Sequence, residues 1–290
     1  MASRQDSTPD RNSPDSNSPD QPGLSIPVYV ICFPNPDQRE AITERYAAFG
    51  ITPLCMDAVS GAAMSDQERQ AFTRSGREYR YDGPIRDGAM GCSLSHQAIW
   101  REMLDDDIPA AVVLEDDARP ISGTDPSPAT GLHRGLIPRL NDLAAMAGKL
   151  DVVFLSERFN RPMVRVDGTT PPAPGLAQPR FSDMGAESYF ITQKAAAYLL
   201  SRPDRFGVEI DLYLHHWWRH DRHYHPLHHT PPLFEEDGRP TQIGYDDTPR
   251  YAGSGLHHRA ARRFHRIRDS LMKRVMFNGY IRRAKQRLQE

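Results

Sequence analysis

The chain has 290 residues, enough for one large domain or two small ones, and its 38% hydrophobic content can build a core. Its three cysteines, Cys32, Cys55 and Cys92, are widely spaced and odd in number. That argues against a disulfide scaffold or a zinc knuckle and suits a reducing compartment. The net charge of −2 is unevenly divided, because residues 256–290 hold 11 Lys/Arg against only two acids, Asp269 and Glu290. An acidic body thus carries a basic end.

In chain order, residues 1–25 are rich in Ser, Pro, Asp, Asn and Gln. They lack the positive start and the apolar run of about 7–15 residues of a secretory signal, and they read as a disordered leader. No stretch approaches the roughly 20 apolar residues that span a bilayer. These features set the expectation of a cytoplasmic protein. The apolar run 28–33 reads as a strand buried on both faces. Ile42, Tyr46 and Phe49 form a helical stripe that stops at Gly50, and 51–56 reads as a second strand. This β-α-β unit favours a parallel sheet and an α/β class. Ser65-Asp66-Gln67-Glu68 fits a capping box. A helix is predicted over 93–104, then strands at 110–114, 151–155 and 187–192 and a helix over 193–200. The Pro- and Gly-rich stretch 158–180 reads as a loop, and the chain near Ile210 as extended.

Glu115-Asp116-Asp117 follows directly on Ala111-Val112-Val113-Leu114. In open α/β sheets ligands bind beyond the carboxyl ends of strands. Adjacent carboxylates repel unless a cation or a proton relieves them, and hard oxygen ligands suit Mg²⁺ or Mn²⁺ on a diphosphate. Strand alternation allows Glu115 and Asp117 to face one site while Asp116 points elsewhere. An inert, solvated acidic loop is the plain alternative on spacing alone.

Several segments together resemble glycosyltransferase family 25, the lipooligosaccharide galactosyltransferase type. They are Val28-Tyr29-Val30-Ile31 followed by Arg39, Ala58-Val59-Ser60-Gly61, Gly91-Cys92-Ser93-Leu94-Ser95-His96 with Trp100, and Val113-Leu114-Glu115-Asp116-Asp117. Asp151-Val152-Val153-Phe154-Leu155, Gly185-Ala186-Glu187-Ser188-Tyr189-Phe190-Ile191-Thr192 and Asp211-Leu212 come later, in the family's order. The resemblance implies a GT-A-like, Rossmann-type nucleotide-diphospho-sugar transferase fold. It also implies inverting, metal-assisted transfer of a hexose, typically galactose, from a UDP-sugar to a lipooligosaccharide or other cell-surface glycan. On this reading Asp117 and Glu115 hold Mn²⁺ or Mg²⁺. Asp116 contacts the ribose or the donor sugar, Ser95 and His96 orient the donor phosphates, and Arg39 pairs with the nucleotide. Asp211, or else Glu187, is the base for the acceptor hydroxyl. The chain departs from the family pattern at Cys32-Phe33-Pro34, where Asn-Leu-Asp is usual, and at Ala89, where an acid is usual. A non-catalytic homologue that binds a glycan or a partner is therefore the alternative function.

The transferase domain is expected over 26–255. Within it, His215, His216, His220, His223, His225, His228 and His229 crowd into 215–229 without a cysteine or an HExxH arrangement. They read as a surface or acceptor-cleft face with incidental metal affinity. Residues 256–290 read as a basic amphipathic helix, with Phe264, Ile267, Leu271 and Val275 on one stripe. That pattern fits a protein held on the inner face of an anionic membrane near a lipid-linked acceptor, with an intramolecular helix closing the domain or an RNA-binding arm as the alternatives. Nothing in it resembles a nucleic-acid module.

Overall fold

The computed structural model describes residues 23–74, 85–121, 135–158, 161–171, 173–180, 184–202, 207–238 and 256–290. Most of the expected leader, 1–22, lies outside them. Its last residues are held in place: the Ser25 amide and hydroxyl donate to Asn141 Oδ1 at 2.9 and 2.8 Å, and Asn141 Nδ2 donates to the Gly23 carbonyl at 3.1 Å.

The core begins with strand β1 (Val28–Cys32), helix α1 (Pro36–Ala47) and strand β2 (Leu54–Asp57). Asn35 caps α1 by accepting from the amides of Asp37 and Gln38 at 3.0 and 3.2 Å, and Pro36 opens the helix with its φ already set. Gly50 ends the turn at φ +71°, a conformation that suits glycine. Helix α2 (Asp66–Arg74) starts at the expected capping box, with the Ser65 amide donating to Glu68 Oε2 at 2.8 Å. Helix α3 (Asp87–Asp105) begins earlier than its periodicity predicts and leads into β3 (Ala110–Glu115).

After β3 come β4 (Ala118–Pro120), α4 (Leu136–Ala145), β5 (Val152–Phe154), β6 (Met163–Arg165), β7 (Gly175–Pro179) and β8 (Ser188–Thr192). The chain ends with α5 (Gln193–Leu200), α6 (Ile210–His215), β9 (Leu227–Thr230), β10 (Phe234–Glu236) and α7 (Leu256–Gln289). Two expectations are corrected here. The stretch read as a loop over 158–180 holds an antiparallel pair, Met163 opposite Pro179 and Arg165 opposite Ala177. Ile210 opens a helix rather than an extended segment; it and Tyr213 are buried against the sheet, and turn spacing outweighs the strand-like triplet Val208-Glu209-Ile210.

The main sheet runs β2-β1-β3-β8-β5-β9-β7-β6. Strands β2, β1 and β3 are parallel, β8 reverses, and β5 with β9 returns to the first direction. This is the α/β class expected, with layers on both faces. Val28, Val30, Val112 and Leu114 pack on one side with Ile42, Tyr46, Leu140, Phe277 and Tyr280. Tyr29, Ala111 and Val113 pack on the other with Ile99, Trp100, Met103 and Leu199. Each such fully buried large side chain contributes about 1.5–3 kcal/mol.

Helix α7 closes the first of these layers. Its C-terminal half buries Phe277, Tyr280 and Ala284, and Arg287 forks onto Asp151 just before β5, with Nη2 donating to Oδ1 at 2.7 Å. Asp151 is 2% exposed and also accepts from the His225 amide at 2.9 Å. Removing one partner of a buried ion pair leaves the other charge uncompensated. Arg287→Ala should therefore lower unfolding free energy by about 3 kcal/mol, measurable as a shift in urea midpoint with unchanged slope.

Candidate active site

The parallel strands deliver three chain ends to one edge of the sheet. Cys32 lies opposite Asp57 across β1–β2, and Ile31 lies opposite Glu115 across β1–β3. Reversed strand β8 then brings its beginning to the same edge: Leu114 faces Ser188, and the Glu115 amide donates to the Glu187 carbonyl at 2.8 Å. Two carboxylates far apart in sequence become neighbours through one ladder hydrogen bond.

Helix α3 is pressed against this edge by two glycines. A Cβ on Gly61 would lie 1.7 Å from the Asp87 carbonyl oxygen, and one on Gly91 2.3 Å from that of Val59. The segments Ala58-Val59-Ser60-Gly61 and Gly91-Cys92-Ser93-Leu94-Ser95-His96 therefore meet backbone to backbone. Ser95 locks the contact: it accepts from the Val59 amide and donates to the Gly91 carbonyl, each at 2.8 Å. Its hydroxyl is 3% exposed and fully committed. In this structure Ser95, expected to orient donor phosphates, holds the loop on the helix.

His96, fully buried, faces the carboxylates directly. Its Nε2 lies 3.4 Å from Glu115 Oε1, and its Nδ1 lies 2.8 Å from the Tyr189 hydroxyl. Trp100 Nε1, which can only donate, reaches the same hydroxyl at 3.1 Å. In the neutral imidazole this chain has Tyr189 donating to Nδ1 and Nε2–H donating to Glu115. The Cys92 thiol, one helical turn from His96, also donates to Glu115 Oε1, at 3.7 Å. Burial opposes the charge on Glu115, but these two donors outweigh it and hold its carboxyl below the usual range. Both fall on Oε1, which leaves Oε2 for another partner.

Asp116 points the other way, as alternation requires. It accepts from Gln38 of α1, and Arg45 Nη1 donates to the Asp116 carbonyl at 2.9 Å. Asp117 returns toward the cluster with Oδ1 buried and without a partner among the described residues. Desolvation, then the charges of Glu115, Asp116, Glu236 and Glu187, push its pKa up to about 7. Glu187, 4% exposed, is likewise pushed up to about 7, chiefly by burial, and its Oε2 has no partner among the described residues. Asp211, at the start of α6, is raised to about 6 by burial and by Glu209, while accepting from the Leu212 amide at 2.7 Å. The cation facing this group is Arg158: its charge acts on Glu187 and Asp211, and its Nη2 donates to Glu236 Oε1 at 2.9 Å.

Four of the predicted residues, Glu115, Asp117, Glu187 and Asp211, thus share one electrostatic environment, with His96 supporting Glu115. Arg39 stays outside it and ion-pairs with Asp57 at the end of β2. The histidine-rich stretch is corrected outright, since six of its seven members are buried and only His223 is exposed. His215 stacks on Phe154 with ring centroids 3.6 Å apart, donates from Nε2 to the Gly185 carbonyl at 2.9 Å, and is lowered by burial to about 4. These imidazoles serve as core aromatics, which their neutral forms permit. Sequence reasoning missed Arg158, hidden in the presumed loop, and Tyr189, whose hydroxyl is the only polar atom in an otherwise apolar strand side chain. Cys92 and Trp100 stood in the matched segment without a role.

A divalent cation fits these residues. The buried, unpartnered Oδ1 of Asp117 and the neighbouring carboxylates supply hard oxygen ligands and an excess of negative charge. Cys92, His96 and Glu115 also lie close enough to hold an ion, with their ligand atoms within 4.8 Å of one another. Those atoms already hydrogen-bond one another, whereas Asp117 does not.

Two predictions follow from this geometry. Gly91→Ala should destabilise the protein by about 2 kcal/mol or more, while Gly148→Ala, whose Cβ meets nothing within 4 Å, should be near neutral in the same thermal melts. The second concerns pH. The folded pKa values of Asp117 and Glu187, both about 7, lie above their ordinary 3.8 and 4.5, so the folded chain binds more protons than the unfolded one between those limits. Stability contributed by these groups is present at low pH and is lost as pH rises toward about 7. In chelator-treated buffer, Asp117→Asn should melt higher than wild type above neutrality and converge with it in acid. Added Mn²⁺ should raise the wild-type melting temperature but not that of the variant.

Comparison with known proteins agrees with this site. Residues 25–120 match the model for "Glycosyltransferase family 25 (LPS biosynthesis protein)". Procollagen galactosyltransferase 1-B of Xenopus laevis is 29% identical over 171 residues, covering 57% of this chain and 26% of that relative. Procollagen galactosyltransferase 2 of Homo sapiens is 28% identical over 87 residues, 29% of this chain and 14% of the relative. The chain thus spans about a quarter of the length of the first of these curated relatives. A solved glycosyltransferase involved in glycosylation of the major capsid of PBCV-1 overlaps 61% of this chain and 65% of its own. Its TM-score is 0.27 at 10% identity, and that superposition adds nothing to the fold above. The match over 25–120 takes in β1, the Gly61–Gly91 contact, the Cys92–His96 turn and the Glu115-Asp116-Asp117 cluster, and over this third of its length the chain is similar to glycosyltransferase family 25.

Proposed function

We propose that the chain transfers a hexose, galactose in the first instance, from a UDP-sugar to a cell-surface glycan acceptor such as a lipooligosaccharide, with inversion. The observation that carries this reading is the half-buried Asp117 carboxylate, whose buried Oδ1 has no partner among the described residues, amid four other acids at the carboxyl edge of the sheet. The family match supports glycosyl transfer, and the names of the relatives support galactose.

A bound Mn²⁺ or Mg²⁺ would neutralise the leaving diphosphate, and Asp117 with Glu115 Oε2 would hold it. The chain's own residues supply the rest. His96 and Cys92 keep Glu115 ionised and fixed in direction, so that its charge is available without a proton having to leave first. Tyr189 and Trp100 fix His96 in turn. Asp211, raised to about 6, is matched to accept a proton from a sugar hydroxyl near neutral pH, and Glu187 is the second candidate for that role. Arg158 lies among these carboxylates as a positive charge for the nucleotide phosphates. A two-metal phosphohydrolase using the same acids would need a second ligand cluster, and among the described residues the histidines do not form one.

The test is UDP release from a panel of UDP-sugars with oligosaccharide acceptors and Mn²⁺. UDP-galactose should turn over in a metal-dependent reaction, and Asp117→Ala should slow it by roughly 100-fold or more. No turnover with any donor, together with retained glycan binding, would assign the fold to recognition without transfer.

A further inference from the structure

Helix α7 has two faces of opposite character. At about 100° per residue, Asp269, Phe277, Tyr280 and Ala284 cluster on one side, and all four are buried against the body. Arg219 Nε donates to Asp269 at 2.9 Å, and Lys273 Nζ lies 4.3 Å from the Trp218 ring centroid. The helix is therefore fixed along this line and cannot roll.

On the opposite side, Ile267, Leu271 and Val275 fall within a stripe roughly 80° wide, and they are 60%, 61% and 74% exposed. Arg268 and Arg274 flank the stripe at roughly 60° to either side, and Arg282 and Lys285 continue its line toward the C-terminus. Arg274, Arg282 and Lys285 are all exposed. The only acid of the helix interior, Asp269, lies on the buried face. Apolar side chains within a basic frame, on a helix with no apolar window long enough to cross a membrane, match a surface that lies in a lipid headgroup plane.

We propose that this face docks on an anionic lipid surface. A second copy of the chain fits it poorly, because an isologous pairing would set Arg268 and Arg274 against their own counterparts. Lipid phosphates instead meet the flanking guanidinium groups while the aliphatic stripe enters the acyl boundary. The inference rests on the fixed orientation of α7 and does not depend on the sugar chemistry.

Co-sedimentation of the full chain with two kinds of vesicle tests it, phosphatidylcholine alone and phosphatidylcholine mixed with phosphatidylglycerol. Binding should require phosphatidylglycerol and weaken with salt. The combined variant Arg274→Gln, Arg282→Gln, Lys285→Gln should lose about fivefold per charge removed. Ile267→Ser, Leu271→Ser, Val275→Ser should lose tenfold or more, with an unchanged melting temperature because all three side chains face outward. Failure to bind either vesicle, equal binding to both, or full binding by the serine variant would overturn the proposal. So would a wild-type dimer in sedimentation equilibrium that the serine variant abolishes, which would give the face to a second copy. UDP release onto a soluble acceptor should be the same in wild type and the serine variant. Loss of vesicle binding by the serine variant with turnover intact therefore assigns the binding to this surface and leaves the catalytic reading untouched.

Discussion

The antiparallel pairing of β3 with β8 sets the last residue of one strand against the segment that begins the other. Glu115 and Glu187 are brought together by the same hydrogen bond that continues the ladder, 2.8 Å from amide to carbonyl. Neither carboxylate can be moved away without breaking the sheet, and Asp117 follows two residues later into the same field. The remainder of the edge can be understood as a response to that crowding. Glu115 receives two donors from α3 and stays charged. Asp117 and Glu187 receive too few and retain protons up to about neutrality. Crowded acids with unequal donor supply differ in proton affinity, and a site that must bind a cation and also move a proton needs that difference.

The donors reach Glu115 only because α3 lies so close to the loop after β2. That closeness comes from Gly61 and Gly91, where a side chain on either would intrude on a carbonyl oxygen. Ser95 then fastens the contact, so a residue that resembles a ligand contact in the sequence acts two steps behind the chemistry. The order of dependence runs from glycine packing to helix position, from helix position to His96 and Cys92, and from those to the charge on Glu115.

Much of this was legible in the sequence because it is local. The buried runs of β1, β3 and β8 announce themselves as continuous apolar stretches, and the capping box of α2 and the acid triplet need no tertiary knowledge. The direction of Asp116 followed from strand alternation alone. What was not legible depended on distant partners. A lone Arg158 in a Pro-rich stretch carries no mark of its carboxylate neighbours until β8 and α6 are in place. The histidines of 215–229 looked polar by type, yet six of them pack inside, His215 on Phe154, His220 by Tyr213 and His225 by Tyr280, and burial lowers the proton affinity of His215 and His225. Strands β6, at the edge of the sheet, and β7 beside it are only three and five residues long and lie in a stretch rich in Gly and Pro, so their period never emerges.

The division of charge along the chain gains a structural sense from these positions. The acidic edge would be relieved at once by a few nearby Lys or Arg, and the chain has 11 of them after residue 255. Among the described residues none of those 11 pairs with Glu115, Asp117, Glu187 or Asp211. Arg287 is instead directed to Asp151, at the amino end of β5, which is the opposite edge of the sheet. Arg263, Arg266, Arg274, Arg282 and Lys285 are exposed, and Arg268 pairs with Asp269. A fold selected for stability alone would bring the surplus positive charge to the surplus negative charge, because buried like charges are costly. Here the two are held apart by the length of the strands, and among the described residues Arg158 is the cation that attends the carboxylates. Among the described residues the site is left with negative charge that the protein itself does not neutralise, which is the charge the proposed cation and diphosphate would answer.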